Sequence, residues 1–237
     1  ALALLLGLRN VWPIVTIGFA GFVMATIVEE FRKGISARKR IAGVSTPVAF
    51  WQILTRNNRR YGGYVVHAGI VVIIVALALS GTGRTEREVT LNQGEHMVLG
   101  DYVIQYDEVW GEQEPQRFVV GSTFTIFREG EELGQMQPRM NYYTGSQQPI
   151  ATPAVRSSLK EDLYLTLMAF DQERGAFATV RAIVNPAVPW LWIGGMIVAL
   201  GGILAVAPQR KAGRPVVATS LEEGTLVTKA QEEPATV

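Results

Sequence analysis

Cysteine is absent from the 237 residues. That excludes disulfides, a thiol nucleophile and a thiolate metal site from within this chain, and any sulfur chemistry must be brought by a partner. Acidic and basic residues nearly cancel, leaving a net charge of +1. No stripe of Lys or Arg away from the apolar flanks resembles a nucleic-acid footprint, so nucleic acid is not an expected partner. Charge itself is sparse, at 18% against 48% hydrophobic residues, and the apolar residues come in blocks.

Val11 to Val28, Tyr61 to Ser80 and Pro189 to Ala207 carry no Asp, Glu, Lys or Arg, and each is close to the length a bilayer-crossing helix needs. The chain therefore reads as a membrane protein in contact with a lipid bilayer. Its first eight residues, ALALLLGL, lack the basic region and cleavage site of a signal peptide and open in mid-pattern, which predicts the C-terminal piece of a longer protein. Residues 1–30 are read as membrane segment, with Trp12 at an interface and Pro13 near a helix start, ending at Glu29, Glu30 and a basic run.

Orientation follows from eight basic residues between Val28 and Tyr61: Arg32, Lys33, Arg38, Lys39, Arg40, Arg56, Arg59 and Arg60. The positive-inside rule places residues 31–60 in the cytoplasm. Within them, Thr46-Pro47 is a helix start signal, and Phe50, Trp51, Ile53 and Leu54 mark a short amphipathic helix for the inner surface. The span 61–80 then runs outward and delivers residues 84–186 to the extracytoplasmic side. From Arg84 to Val184 there are nine basic and fifteen acidic residues, a net −6, opposite in character to the inner loop.

That outer block alternates with period two, as in Tyr102, Ile104 and Tyr106, in Phe118 through Ile126, in Leu163, Leu165 and Leu167, and in Phe177, Thr179, Arg181 and Ile183. Turn residues separate the runs, which predicts six or seven antiparallel strands in a small barrel or sandwich. The fold class is thus an α-helical membrane protein with an all-β domain inserted between its last two spans. Residues 189–207 form the final span, with Trp190 and Trp192 as an aromatic belt; Gly194-Gly195 and Gly201-Gly202 recur seven apart and allow a close helix neighbour. Arg210, Lys211 and Arg214 hold the tail, residues 208–237, inside, and its Pro/Thr/Glu/Ala composition reads as disordered.

One ionisable side chain interrupts the spans. His67 lies six residues past Tyr61, roughly 9 Å of helix rise from the inner boundary. Gly63, four residues earlier, shares its face and leaves space beside it, Ile70 and Val71 close the other side, and Gly62 and Gly69 suit contact with another helix on the opposite face, an end that Gly63 could serve as well. Three roles are open for such a residue: axial ligation of haem iron, an interhelical hydrogen bond, or a proton relay. A ligating imidazole would want an acceptor on its second nitrogen. The other histidine, His96, falls in a polar turn and reads as a surface residue, so a second histidine ligand must come from outside this chain.

Several stretches carry a family resemblance. NNRRYGGYVVHAG at 57–69, PRMNYY at 138–143, TPAVRSSLKEDLYLTL at 152–167 and NPAVPWLWIGGMIVALGG at 185–202 resemble, in the same order, the CcmF-type cytochrome c maturation haem lyases. The likeness runs from Arg32 to Pro208. It implies a multi-pass inner-membrane protein that attaches haem to the CXXCH cysteines of apocytochrome c, receiving it from a haem chaperone. It implies that His67 is an axial ligand of a membrane haem b that keeps the incoming haem iron reduced. Arg59 and Arg60 could then pair with propionates, or simply anchor the helix at the inner surface. Tyr142, Tyr143 and the loop from Thr152 to Asp162 are candidates for docking the chaperone or apocytochrome, though a plain strand connection explains them equally. The family's tryptophan-rich haem-handling segment and outer histidines are not found in this sequence, so the chain alone is not expected to form thioethers and depends on the rest of the lyase chain. The competing reading is a non-catalytic assembly subunit whose β domain binds a partner; a proton-coupled transporter half is weakened by the lack of acidic residues in the spans.

Overall fold

The computed structural model describes residues 11–146 and 148–208, so the expectations for the first eight residues and for the basic tail lie outside the described residues. Helix α1 (Val11–Ala42) is followed by α2 (Thr46–Arg56) and α3 (Asn58–Gly83); ten strands intervene before α4 (Val188–Val206). α1, α3 and α4 are each long and apolar enough to cross a membrane. The first helix does not stop at Glu29 as the charge boundary suggested: it continues through Arg32, Lys33, Arg38, Lys39 and Arg40. Those residues are good helix formers, and Glu29 lies on the same face as Arg32 and Lys33, pairing with them at 2.9 and 3.7 Å, so nothing in the sequence breaks the hydrogen-bond ladder. Helix α2 buries Ala49 and Ile53 and leaves Phe50 and Trp51 exposed.

Small residues set the helix pairing. α3 and α4 touch along Gly62 and Gly69 on one side and Gly194 and Gly201 on the other. A Cβ at Gly69 would fall 2.8 Å from the Gly194 carbonyl, one at Gly201 2.6 Å from the Val66 nitrogen, and one at Gly62 2.6 Å from the Ala205 nitrogen. Only backbones without side chains come this close. Gly195 and Gly202, the second of each pair, face open space. At the far end of the pair the Asn58 side-chain amide donates to the Ala207 carbonyl.

The sandwich grows directly from this helix pair. Only Arg84 separates α3 from β1 (Thr85–Asn92), and only Ala187, at φ 60, separates β10 (Phe177–Pro186) from α4. β1 and β10 pair antiparallel from Thr85↔Val184 to Asn92↔Phe177, so two adjacent strands continue two adjacent helices. β9 (Glu161–Phe170) and β8 (Ala154–Ser157) complete one sheet in the order β1-β10-β9-β8. The other sheet runs β2-β3-β4-β6-β7, with β5 (Glu131–Met136) also on β4; its strands are β2 (His96–Leu99), β3 (Tyr102–Gln113), β4 (Arg117–Arg128), β6 (Arg139–Tyr143) and β7 (Ile150–Thr152).

Between the sheets Tyr106, Phe124, Ile104, Ile126, Leu163, Leu165 and Leu167 are fully enclosed, as their alternation required. In β10 it is Ala178, Val180, Ala182 and Val184 that face inward, and Phe177, Thr179, Arg181 and Ile183 that form the outer row. Both rows are substantially apolar, so the pattern alone left the face undecided. Arg181 decides it, reaching Glu88 at 2.8 Å and Glu86 at 3.4 Å across the outer surface. Gly69→Val should force α3 from α4 and cost about 1–3 kcal/mol, whereas Gly195→Val should change stability by less than about 0.5 kcal/mol. Thermal unfolding of the two variants in the same detergent checks this, and equal losses would remove the helix contact as the determinant.

Candidate functional site

His67 stands alone on the exposed surface of α3, with Gly63 one turn before it. Its Nδ1 lies 2.7 Å from the Gly63 carbonyl. A carbonyl only accepts, so the contact requires the proton on Nδ1, and of the two neutral tautomers it selects the one with its lone pair on Nε2. Apart from the helix's own backbone and the two chain neighbours, no atom of the described residues lies within 4 Å of where a Gly63 side chain would begin. In that tautomer the oriented imidazole, exposed on the helix, could coordinate a haem iron through Nε2. His96 is exposed in β2, in a different element, and no cluster of three or more His, Cys, Asp or Glu able to hold a metal occurs among the described residues.

A polar clamp sits on the same helix nearer its start. The Arg60 guanidinium and the Tyr64 hydroxyl both donate to the Glu30 carboxylate of α1, Tyr64 at 3.2 Å. Arg60 also reaches the Tyr64 oxygen at 3.1 Å, and the rings of Phe31, Tyr61 and Tyr64 pack around the group. Seven residues bring a helix back to nearly the same face, so Arg60 shares the side of His67, about two turns away. Arg59 is exposed, and no side-chain partner for it is present among the described residues. In the sequence Glu30 marks a span boundary; its partner lies thirty residues on, and no local pattern links the two.

An apolar chamber of ≈ 800 Å³ opens between α1 and α3 beneath the sandwich, lined by Ala20, Gly21, Met24, Val71, Val75 and Trp190 among others. His67 is not among its lining residues, so the cavity is separate from the imidazole site.

The three expected docking residues differ in environment. Tyr142 is half-buried, its hydroxyl 3.1 Å from the Met140 sulfur, and burial pushes its pKa up. Tyr143 is exposed, with Arg117 5.8 Å above its ring and donating to its hydroxyl at 3.2 Å. Asp162 corrects the expectation of a surface contact: it is 4% exposed, paired in register with Asn185 and Ser157, and accepts from the Tyr164 hydroxyl at 3.3 Å. It lies at the membrane end of the sandwich, with its Oδ1 buried and without a hydrogen-bond partner among the described residues.

At the other end of the sandwich a second cavity, of ≈ 730 Å³, is walled by the turn from Phe170 to Gly175. Asp171 shapes that turn, accepting from the backbone N–H of Ala176 at 3.1 Å and of Glu173 at 3.2 Å. These donors favour the charged carboxylate and hold its pKa below the usual range. The folded state thus binds this proton less tightly than the unfolded state, so the stabilisation is present above the unfolded pKa and is lost as the pH falls through the folded one. Asp171→Ala should be less stable than the parent at neutral pH, with the gap narrowing below about pH 4. Denaturant titration followed by tryptophan fluorescence at neutral and acid pH checks it, and a gap independent of pH would refute the role.

These features define a class: an α-helical membrane protein with a β-sandwich between two of its spans and a single histidine on the span that precedes the sandwich. Residues 82–186 match the family model described as the CcmF C-terminal beta-sandwich. The chain is 29% identical over 157 residues to the cytochrome c-type biogenesis protein CcmF of Pseudomonas aeruginosa, covering 66% of this chain and 23% of that protein. With the protein of the same name from Escherichia coli it shares 26% over 212 residues, 86% of this chain and 31% of the relative. A solved structure named Cytochrome c Heme Lyase CcmF superposes with a TM-score of 0.68 at 27% identity, over 84% of this chain and 31% of that one. By these likenesses the chain corresponds to a CcmF-type C-terminal part, with residues 82–186 as its beta-sandwich. It spans about a quarter to a third of the length of these relatives.

Proposed function

We propose that this chain is the portion of a cytochrome c maturation haem lyase that supplies His67 as an axial ligand to a membrane haem b, the second ligand coming from the rest of the lyase. The observation that carries the reading is the 2.7 Å contact between His67 Nδ1 and the Gly63 carbonyl. Of the neutral tautomers it selects the one that leaves Nε2 as the donor atom, and the exposure of the side chain gives access to it. When bound there, haem b supplies a one-electron couple in a low-dielectric setting, suited to reducing haem iron before its attachment to apocytochrome c.

The remaining roles follow from where the side chains lie. Arg59 is the available cation for a propionate; Arg60 is already committed to Glu30 and Tyr64, and through them it holds α1 against α3 near the histidine. The basic residues cluster at the ends of α1 and α3 away from the sandwich, which supports a cytoplasmic face there and an extracytoplasmic sandwich in a bacterial inner membrane. On that side the sandwich would meet the haem chaperone and apocytochrome c. Thioether formation itself is assigned to the complete lyase.

The test is the haem content and absorption spectrum of the detergent-purified full-length parent beside His67→Ala. A low-spin b-type spectrum in the parent, lost in the variant together with cytochrome c maturation, is the expected result. Haem retained at parental level would make His67 a packing residue and favour the non-catalytic assembly reading.

A further inference from the structure

The paired ends of β1 and β10 give the sandwich a direction. Thr85 and Val184 sit against the spans, and Asn92 and Phe177, seven positions along the same register, mark the end remote from them. The ≈ 730 Å³ cavity lies at this remote end, bordered by Gln93 and the 170–175 turn. Its volume falls in the range of small-ligand and side-chain pockets, between about 300 and 1,000 Å³.

Its floor is apolar and its rim acidic. Val109, Val120, Phe118, Tyr142 and Phe170 line it, and Phe118 is 42% exposed. Around them stand Glu108, Asp171 and Glu173 against a single guanidinium, Arg174. The carboxylate of Asp171 is occupied by backbone donors, whereas Glu108 and Glu173 are exposed and have no side-chain partner among the described residues. The walls are rigid. The Tyr106 hydroxyl donates to the Gly175 carbonyl at 2.7 Å, the Gln93 N–H to the Ala176 carbonyl at 3.0 Å, and Gly175 (φ +63) approaches so near that a Cβ there would lie 2.5 Å from Val109. A preformed pocket loses little entropy on binding, and two uncompensated carboxylates beside exposed aromatic carbon select a cation next to an apolar group.

We infer that this membrane-remote pocket docks a basic, extended peptide segment of a partner protein, inserting one apolar or aromatic side chain against Phe118 and Tyr142 while flanking Lys or Arg residues meet Glu108 and Glu173. The net −6 of the domain draws such a segment toward it and repels acidic ones. This site is independent of the His67 reading, from which it is separated by the length of the sandwich.

The experiment uses the chain in detergent micelles and a short fluorescein-labelled peptide of alternating lysine and glycine with one central phenylalanine, read by anisotropy. Saturable binding that weakens with salt is expected, together with a loss of about tenfold or more in Phe118→Ser and in the combined Glu108→Lys, Glu173→Lys variant. All three substitutions are at exposed positions, and unchanged thermal unfolding confirms that the fold is kept. The same peptide with glutamate for lysine, or glycine for phenylalanine, should not bind. The inference is overturned by absence of saturable binding, by equal affinity of the charge-reversed variant, or by equal affinity of the peptide lacking phenylalanine, which would mean diffuse attraction to the acidic domain. Because no arm of the experiment involves His67 or haem, its failure would leave the proposed haem site untouched.

Discussion

Backbone contact between α3 and α4 is the constraint on which the rest of the structure depends. Their glycines bring the helices so near that a single Cβ would collide with the opposing main chain. Because β1 and β10 continue these helices with almost no linker, that spacing passes into a strand pair, and the sheet is built outward from it. In a membrane, where apolar side chains gain nothing by leaving lipid for one another, close van der Waals packing is the force available to set such a pairing. The sandwich, held by an ordinary hydrophobic core, adds the water-driven stabilisation that the spans lack.

The opposite face of α3 carries the histidine. Gly62 and Gly69 turn toward α4, while Gly63 and His67 turn away from it. One helix therefore does two things with the same small residue: on one face glycine admits a backbone, on the other it leaves room beside an imidazole. The Glu30–Arg60–Tyr64 clamp ties α1 to this helix close to the histidine. Here the acid accepts from two donors at once.

The two ends of the sandwich differ in kind. At the membrane end, charged groups are consumed by structure: Arg128 bridges Asp101 and Glu161 at 3.1 Å each, and Asp162 is sealed between strands. At the remote end, Glu108 and Glu173 stay exposed around apolar carbon, and Asp171 spends its charge on shaping the turn. Residues of one chemical type thus serve as foundation at one end and as recognition surface at the other.

Much of this was legible in the residues alone. Long uncharged runs can hardly be anything but spans, because unpaired charge is costly in lipid, and strict alternation in Tyr102 to Tyr106 and Leu163 to Leu167 can only place one face inward. His67 stood out for the same reason, as an ionisable group in an apolar run, and Gly63 and the helix-facing glycines followed from helical periodicity. Tertiary structure decided what periodicity left degenerate. α1 ran past its charge boundary because nothing in the sequence broke it, and β10 turned its smaller residues inward because Arg181 had partners only on the outside. Glu30 met Arg60 across thirty residues, and Asp162 was buried by strands that pair with it from both sides. Local pattern reports which faces of an element differ, whereas a contact between distant segments depends on how whole elements pack, and that information exists only once the chain has folded.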